Sequence, residues 1–158
     1  MHSSVPIDAQ HQDTYFVVAH FHYVLIGGAL FGLYSGFYYW LPKMSGRLLN
    51  DKLGKLVFSM MFIGFNLTFF PMHYLGMIGQ PRRTHSYNEG HGFETWNQIA
   101  TIGAFILGVG VLIGIYQFVS AFFNKKLKPA GKNPWDARTL EWTLSSPVKE
   151  YNFARTPI

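Results

Sequence analysis

The chain has 158 residues, no cysteine and a formal net charge of +5 at pH 7. The lack of cysteine excludes disulfide bonds and thiolate metal sites. The basic residues lie beside long apolar segments, so we expect lipid headgroups, and not nucleic acid, as their counter-charge. A mean hydropathy of +0.10 conceals this separation of apolar and charged residues.

Three segments of the chain contain no Asp, Glu, Lys or Arg: residues 14–42, 56–81 and 95–124. Each is longer than the ~20 residues that an α-helix needs to cross the hydrocarbon core of a bilayer. The sequence therefore predicts an all-α transmembrane fold with helices over 14–42, 56–79 and 95–124. Pro71 is expected to kink the second helix.

The segments between and after these helices divide Lys and Arg unevenly. The loop over 43–55 and the tail over 125–158 are rich in them, which places both on the cytoplasmic side or its organellar equivalent. The lead-in 1–13 and the loop 80–94 then belong on the outer face. We expect the loop cations to be solvated anchors. We expect the tail to lie over a surface as a strap, without forming a domain.

Two histidines, His20 and His22, lie inside the first apolar segment. Ionisable side chains are costly in hydrocarbon, and there they mark candidate functional sites. Helical positions two apart diverge by roughly 200°, so each imidazole can hold a separate cofactor, with Phe21 between them. Axial ligation of haem is the functional interpretation, and hydrogen-bonded packing between helices is the alternative. His73, in the second segment, is interpreted as structural or as a polar bridge near the outer face, with a ligand role as the alternative.

Charged side chains are also placed at the predicted outer face. Arg82 and Arg83 directly follow the second helix, and their guanidinium groups suit carboxylates such as haem propionates. Interfacial snorkelling is the alternative for this pair. Asp8 and Asp13 precede the first helix, where an aspartate can cap a helix or bind a hard cation such as Mg²⁺.

QDTYFVVAHFHYV, residues 12–24, closely resembles the HDTYFVVAHFHYV motif of subunit I of haem–copper terminal oxidases, the cytochrome c oxidase type. Further landmarks follow in the right order: NLTFFP at 66–71, GQPRR at 79–83 and PWDARTLEW…SPVKEY at 134–151. The resemblance covers essentially the whole chain. It implies a three-helix segment of the twelve-helix haem–copper oxidase core, namely the last three transmembrane helices and the carboxy-terminal tail.

The resemblance also implies roles for the residues of the first helix. His20 matches the proximal ligand of the high-spin haem at the oxygen-reducing centre, and is therefore a catalytic residue. His22 matches an axial ligand of the low-spin haem. Phe21 is implied to lie on the short path between the two haems.

At the outer face the resemblance implies two further kinds of site. Arg82 and Arg83 match a pair that binds haem propionates, and Asp8 matches an acid in the same region. Asp13 matches a ligand of a non-redox magnesium ion. The family has a second magnesium ligand, a histidine, where this chain has Gln12. A glutamine offers only a carbonyl oxygen, so a weaker or rearranged metal site is expected.

The implied function is that of a respiratory cytochrome c oxidase, which reduces oxygen to water and pumps protons. Electrons pass from cytochrome c through a copper-bearing subunit II to the low-spin haem, then to the high-spin haem and its copper. The implied cofactors are two haems of the haem A type, copper held by earlier helices, and magnesium. A quinol oxidase of the same superfamily and a cofactor-free assembly scaffold are the alternatives.

The implied partners are the remainder of subunit I, subunits II and III, cytochrome c and the lipid bilayer. Activity is expected only in that assembly, because the copper ligands of the family lie outside the matched helices. The implied location is a bacterial or archaeal cell membrane or the mitochondrial inner membrane.

Overall fold

The computed structural model describes residues 3–153, so the ends of the predicted lead-in and tail (1–2 and 154–158) lie outside the described residues. The described part is helical and contains no β-strand beyond two isolated bridges. Its helices are a short α1 (Val5–His11), the long α2 (Tyr15–Ser45), α3 (Asp51–Met77) and α4 (Glu94–Phe123), and a 3-10 turn (Leu140–Thr143). The three long helices are long and apolar enough to cross a membrane, which confirms the predicted fold class.

Helix α2 changes its geometry along its length. It is α-helical over Tyr15–His22, π-helical over Tyr23–Leu30 and α-helical again over Phe31–Ser45. The Thr14 hydroxyl caps the first turn by accepting from the Phe16 amide at 3.2 Å. The helix ends at Gly46, whose φ of 73° lies in the left-handed region that glycine adopts without strain. The sequence periodicity did not anticipate the π-helical stretch, which begins at the residue after His22.

Helix α3 begins five residues before the apolar segment that predicted it. The Asn50 side chain caps it by accepting from the Leu53 amide at 3.2 Å. The charged first turn is therefore helical, and Lys55 pairs with Asp51 at 2.7 Å. The helix continues through Pro71, which is buried.

The backbones of α3 and α4 touch at two glycines. A Cβ placed on Gly64 would lie 2.5 Å from the Leu107 nitrogen, and one on Gly103 would lie 2.5 Å from the Thr68 nitrogen. Small residues allow this approach, because in lipid the association of helices depends on close packing. The pair α3 and α4 thus forms the most closely packed part of the bundle.

Helix α2 is covered far less by the rest of the chain. Only 11% of its most apolar 18-residue window is buried, against 33% for α3. Its contacts with α3 lie mainly in the half that carries the two histidines. Most of the α2 surface is therefore available to lipid or to other protein.

The end of the bundle that carries Gly46 is named the inner end, after the predicted orientation, and the end that carries Gln80 the outer end. At the inner end the tail crosses the helices as an inner strap, defined here as residues 128–144. The Ala130 amide donates to the Gly46 carbonyl at 2.9 Å, and the Leu48 amide donates to the Lys128 carbonyl at 2.8 Å.

Lys43 departs from the expectation that the loop cations are solvated. Its side chain is buried with an exposed fraction of 4%. Its Nζ donates to the carbonyl oxygens of Lys132 at 2.8 Å and Leu144 at 2.9 Å. The prediction was wrong for this residue because the returning tail supplies acceptors that replace water.

Candidate cofactor-binding site

The two intramembrane histidines both lie on the α-helical part of α2. His20 and His22 belong to the segment Tyr15–His22, and both are half-buried. Because α-helical geometry applies to both, their Cα–Cβ bonds diverge by about 200°. The helix therefore presents one imidazole on each flank.

Protein contacts fix the ring of His22. Its Nδ1 lies 2.7 Å from the Val18 carbonyl oxygen, and its ring stacks on Phe69 of α3 with centroids 4.0 Å apart and planes at 15°. Since a carbonyl oxygen can only accept, Nδ1 carries the proton. In the neutral imidazole the lone pair is therefore on Nε2. This is the tautomer in which a histidine can bind a metal through Nε2 while its other nitrogen is anchored.

Phe21 lies between the two histidines at the surface of α2. Its side chain is 36% exposed, and its ring centroid is 4.3 Å from that of His22 at an angle of 31°. An exposed aromatic ring beside an anchored imidazole can pack against the edge of a planar ligand.

His73 lies in an aromatic cluster near the outer end of α3. Its ring centroid is 5.3 Å from that of Tyr23 and 5.0 Å from that of Phe16, which itself stacks on His11 at 4.2 Å. The ring is surrounded by other rings, which agrees with the structural interpretation of this residue.

At the outer end, the lead-in contacts the loop that follows α3. The Arg82 Nε donates to the Asp13 Oδ1 at 2.7 Å, and a second guanidinium nitrogen bonds the same oxygen. The Arg82 amide also donates to the Asp13 carbonyl at 2.8 Å. Arg82 is half-buried, whereas Arg83 is exposed with φ of 63°, so the two arginines occupy different environments.

The outer end also holds a contact between two amide side chains, of the buried Gln80 and the half-buried Asn97, and sequence reasoning missed it. Gln80 is 1% exposed, and its Oε1 accepts from the Asn97 Nδ2 at 3.0 Å. Its carbonyl accepts from the Tyr15 amide at 3.0 Å. Gln80 thus connects the starts of α2 and α4 to the end of α3. Its position directly before Pro81 and the arginine pair was the signal for it.

The residues predicted to bind magnesium do not form a complete site by themselves. Across residues 3–153, no group of three or more His, Asp or Glu side chains is placed to hold a metal ion. One carboxylate oxygen of Asp13 is held by Arg82, and Gln12 is exposed. Magnesium binding by Gln12 and Asp13 stays a prediction, and it requires ligands from outside this group.

Two interhelical polar contacts within the membrane were also missed. The Tyr23 hydroxyl donates to Asn66 Oδ1 at 2.8 Å. Near the inner end, the Tyr38 hydroxyl donates to Gln117 Oε1 at 2.7 Å, and Gln117 Nε2 donates to the Asn50 carbonyl at 2.7 Å. The signal in each case was an amide side chain within an otherwise apolar segment, where a polar group needs a partner.

The three long apolar helices and their interhelical polar contacts define an integral membrane protein. Comparison with known families identifies its kind. The family described as "Cytochrome C and Quinol oxidase polypeptide I" matches residues 1–106, and the chain belongs to this family of haem–copper oxidase subunits. The family predicted from the sequence motifs is confirmed.

Relatives include both donor types of the family. The chain is 49% identical to cytochrome c oxidase subunit 1 of Alkalihalophilus pseudofirmus and 48% identical to that of Bacillus subtilis, in each case over 99% of this chain and 25% of the relative. It is 45% identical to quinol oxidase subunit 1 of Bacillus subtilis, over 95% of this chain and 23% of the relative. The chain thus spans about a quarter of the length of these relatives.

Proposed function

We propose that this chain is the haem-binding part of the catalytic subunit of a respiratory cytochrome c oxidase, which reduces oxygen to water and pumps protons. The observation that carries the proposal is the hydrogen bond from His22 Nδ1 to the Val18 carbonyl, which directs the lone pair of a membrane-embedded imidazole away from its own helix. Relatives named as cytochrome c oxidase subunit 1, 48–49% identical to the chain, support the choice of reaction.

In this proposal His22 is an axial ligand of a low-spin haem, and His20 is the proximal ligand of a high-spin haem. Bound haem iron supplies the electron-transfer and oxygen-reducing chemistry. The Val18 carbonyl fixes the tautomer of His22 and makes its Nε2 a stronger donor. The Phe69 stack restricts rotation of the ring. Phe21 packs between the two haem sites.

The charged groups of the outer end are proposed to bind the haem propionates. Asp13 orients Arg82 through one carboxylate oxygen, and a guanidinium has five N–H donors, so donors remain for a propionate. Arg83 is exposed beside it. Asp8 is proposed to lie in the same propionate region, and Gln12 and Asp13 to contribute to a magnesium site.

The assembly and its location follow from the same proposal. The haems are of the haem A type, and copper is held by the remainder of subunit I. Subunit II with its copper, subunit III and cytochrome c complete the enzyme in the lipid bilayer. That bilayer is a bacterial or archaeal cell membrane or the mitochondrial inner membrane.

Quinol is the second candidate for the electron donor, because a quinol oxidase subunit 1 is 45% identical to the chain. The two reactions are separated by supplying the purified membrane complex with reduced cytochrome c or with quinol. Oxygen consumption with cytochrome c alone supports the proposal, and consumption with quinol alone supports the second candidate.

Haem binding is tested by difference spectra, reduced minus oxidised, of the complex that contains this chain. We expect His22→Ala to lose the low-spin signal and His20→Ala to lose the high-spin signal. His73→Gln is the matched control, since it replaces a third histidine of the bundle that the proposal assigns no ligand role. If both alanine variants keep both signals, the chain is a scaffold without haem and the proposal is wrong.

A further inference from the structure

Helices α2 and α3 are joined by two side-chain contacts at adjacent positions. His22 stacks on Phe69 at 4.0 Å, and the Tyr23 hydroxyl donates to Asn66 Oδ1 at 2.8 Å. Phe69 and Asn66 are three residues apart on α3, so they share one face of that helix. The two contacts therefore act on neighbouring residues of α2 from one surface.

The hydrogen bond between Tyr23 and Asn66 has a fixed geometry. Asn66 Nδ2 donates to the Phe62 carbonyl at 2.8 Å, which sets the orientation of the amide and directs its oxygen towards Tyr23. The Tyr23 ring is packed against Phe65 with centroids 4.7 Å apart. Other contacts already restrict both side chains, so forming the hydrogen bond between them costs less conformational entropy.

Tyr23 is also the residue at which the geometry of α2 changes. The α-helical segment ends at His22, and the π-helical segment begins at Tyr23. A change in helical geometry alters the rotation of every following side chain about the helix axis, and π-helical segments often occur at functional sites. A hydrogen bond at this junction fixes where the change occurs, and His22 is the last α-helical residue before it, one position from the bonded tyrosine.

We propose that the hydrogen bond from Tyr23 to Asn66 is a positioning contact that fixes the imidazole of His22 and so tunes the redox potential of the group bound to it. The inference rests on the proposed function of His22 as an axial haem ligand. Loss of the contact frees the junction and weakens the bond from His22 Nδ1 to the Val18 carbonyl. A less strongly anchored imidazole is a weaker donor and stabilises ferric iron less, so the potential rises.

The test uses Tyr23→Phe, which removes one oxygen atom, and Asn66→Leu, in the assembled membrane complex. We expect either variant to raise the ratio of reduced to oxidised low-spin haem at fixed potential at least threefold, about 28 mV, since a tenfold change is 59 mV for one electron. The high-spin haem is expected to keep its potential. Because both variants remove the same hydrogen bond, the double variant is expected to shift the low-spin potential no further than either single variant.

Tyr34→Phe is the matched control. It makes the same chemical change on the same helix, at a hydroxyl that forms no hydrogen bond within residues 3–153, and it is expected to leave both potentials unchanged. An unchanged low-spin potential in Tyr23→Phe overturns the inference, as does an equal shift of both haems or an additive double variant. If Asn66→Leu does not assemble, Tyr23→Phe alone decides the question.

Failure of the inference can be distinguished from failure of the proposed function. If His22→Ala loses the low-spin signal while Tyr23→Phe changes nothing, only the positioning role is wrong. If His22→Ala keeps that signal, His22 is not a ligand. The proposed function and the inference then fail together.

Discussion

The ammonium group of Lys43 lies 4.8 Å from the centroid of the Trp142 ring at the inner end of the bundle. Both side chains are buried, with exposed fractions of 4% and 2%. Two of the three N–H donors of Lys43 reach carbonyl oxygens of the tail. Lys43, in the last turn of α2, is thus held by two carbonyls and an aromatic ring, and it attaches the inner strap to the helix.

Lys43→Met tests this attachment. The substitution leaves the carbonyl oxygens of Lys132 and Leu144 without this donor and removes the cation–π contact. We expect a loss of about 1–3 kcal/mol in the stability of the docked tail. Limited proteolysis of the complex is expected to cut the tail faster and thermal unfolding to begin earlier. Lys55→Met is the control, because Lys55 is exposed and its ion pair is with Asp51, which is also exposed. Equal protease resistance of Lys43→Met and wild type would contradict the attachment.

The stability of the docked tail is expected to depend on pH through Glu141, which lies in the 3-10 turn of the strap. A hydrogen bond from its own backbone lowers the pKa of Glu141 below its ordinary value of 4.5, and bonds from Thr139 and Trp40 and the charge of Lys43 act in the same direction. A carboxylate with a lowered pKa stabilises the folded state above its unfolded pKa, and this contribution is lost as the pH falls through the folded value.

We therefore expect the protease resistance of the tail to be constant from pH 7 to pH 5 and to decrease below pH 4.5. The measurement uses a protease that is active over this whole range. Glu141→Gln removes the titrating group and is expected to flatten this decrease. Glu150→Gln, farther along the tail, is the control. The same acid profile in wild type and Glu141→Gln would show that other groups control the transition.

The sequence predicted features that depend on local residues, and it did not predict contacts between distant segments. The helices followed from the length of the charge-free segments, and the opposite flanks of His20 and His22 followed from their spacing. The burial of Lys43 was not predictable from the sequence, because its acceptors come from a distant part of the tail. The partner of Arg82 was likewise unpredictable, since Asp13 reaches it only after α2 and α3 have packed. Contacts between distant segments depend on that packing, which a linear pattern does not contain.

The glycine contact between α3 and α4 predicts a strong steric effect. In Gly64→Ala the new methyl group would lie 2.5 Å from the backbone of Leu107, and a backbone cannot move aside as a flexible side chain can. Overpacking of this kind typically costs about 1–3 kcal/mol. We expect a lower melting temperature and a lower yield of assembled complex. Gly108→Ala is the control, since a Cβ there meets nothing within 4 Å in residues 3–153. Equal stability of the two variants would contradict the contact.

Removing the side-chain hydrogen bonds of Gln117 is expected to lower the stability of the bundle. It is 2% exposed and joins three elements, because its amide accepts from Tyr38 of α2 and donates to the carbonyl of Asn50, which caps α3. Gln117→Leu keeps similar volume but leaves the Tyr38 hydroxyl and the Asn50 carbonyl without their partner. We expect a loss of about 1–3 kcal/mol, measured by thermal unfolding of the complex.

Gln98→Leu, on the same helix, is the matched control, because Gln98 is exposed and its removal breaks no hydrogen bond within residues 3–153. Tyr38→Phe separates the two halves of the network. It removes only the donor to Gln117, so its effect is expected to be smaller than that of Gln117→Leu and to disappear in the Gln117→Leu background. Full additivity of the two substitutions would show that Tyr38 and Gln117 stabilise the bundle independently, in conflict with the 2.7 Å hydrogen bond between them.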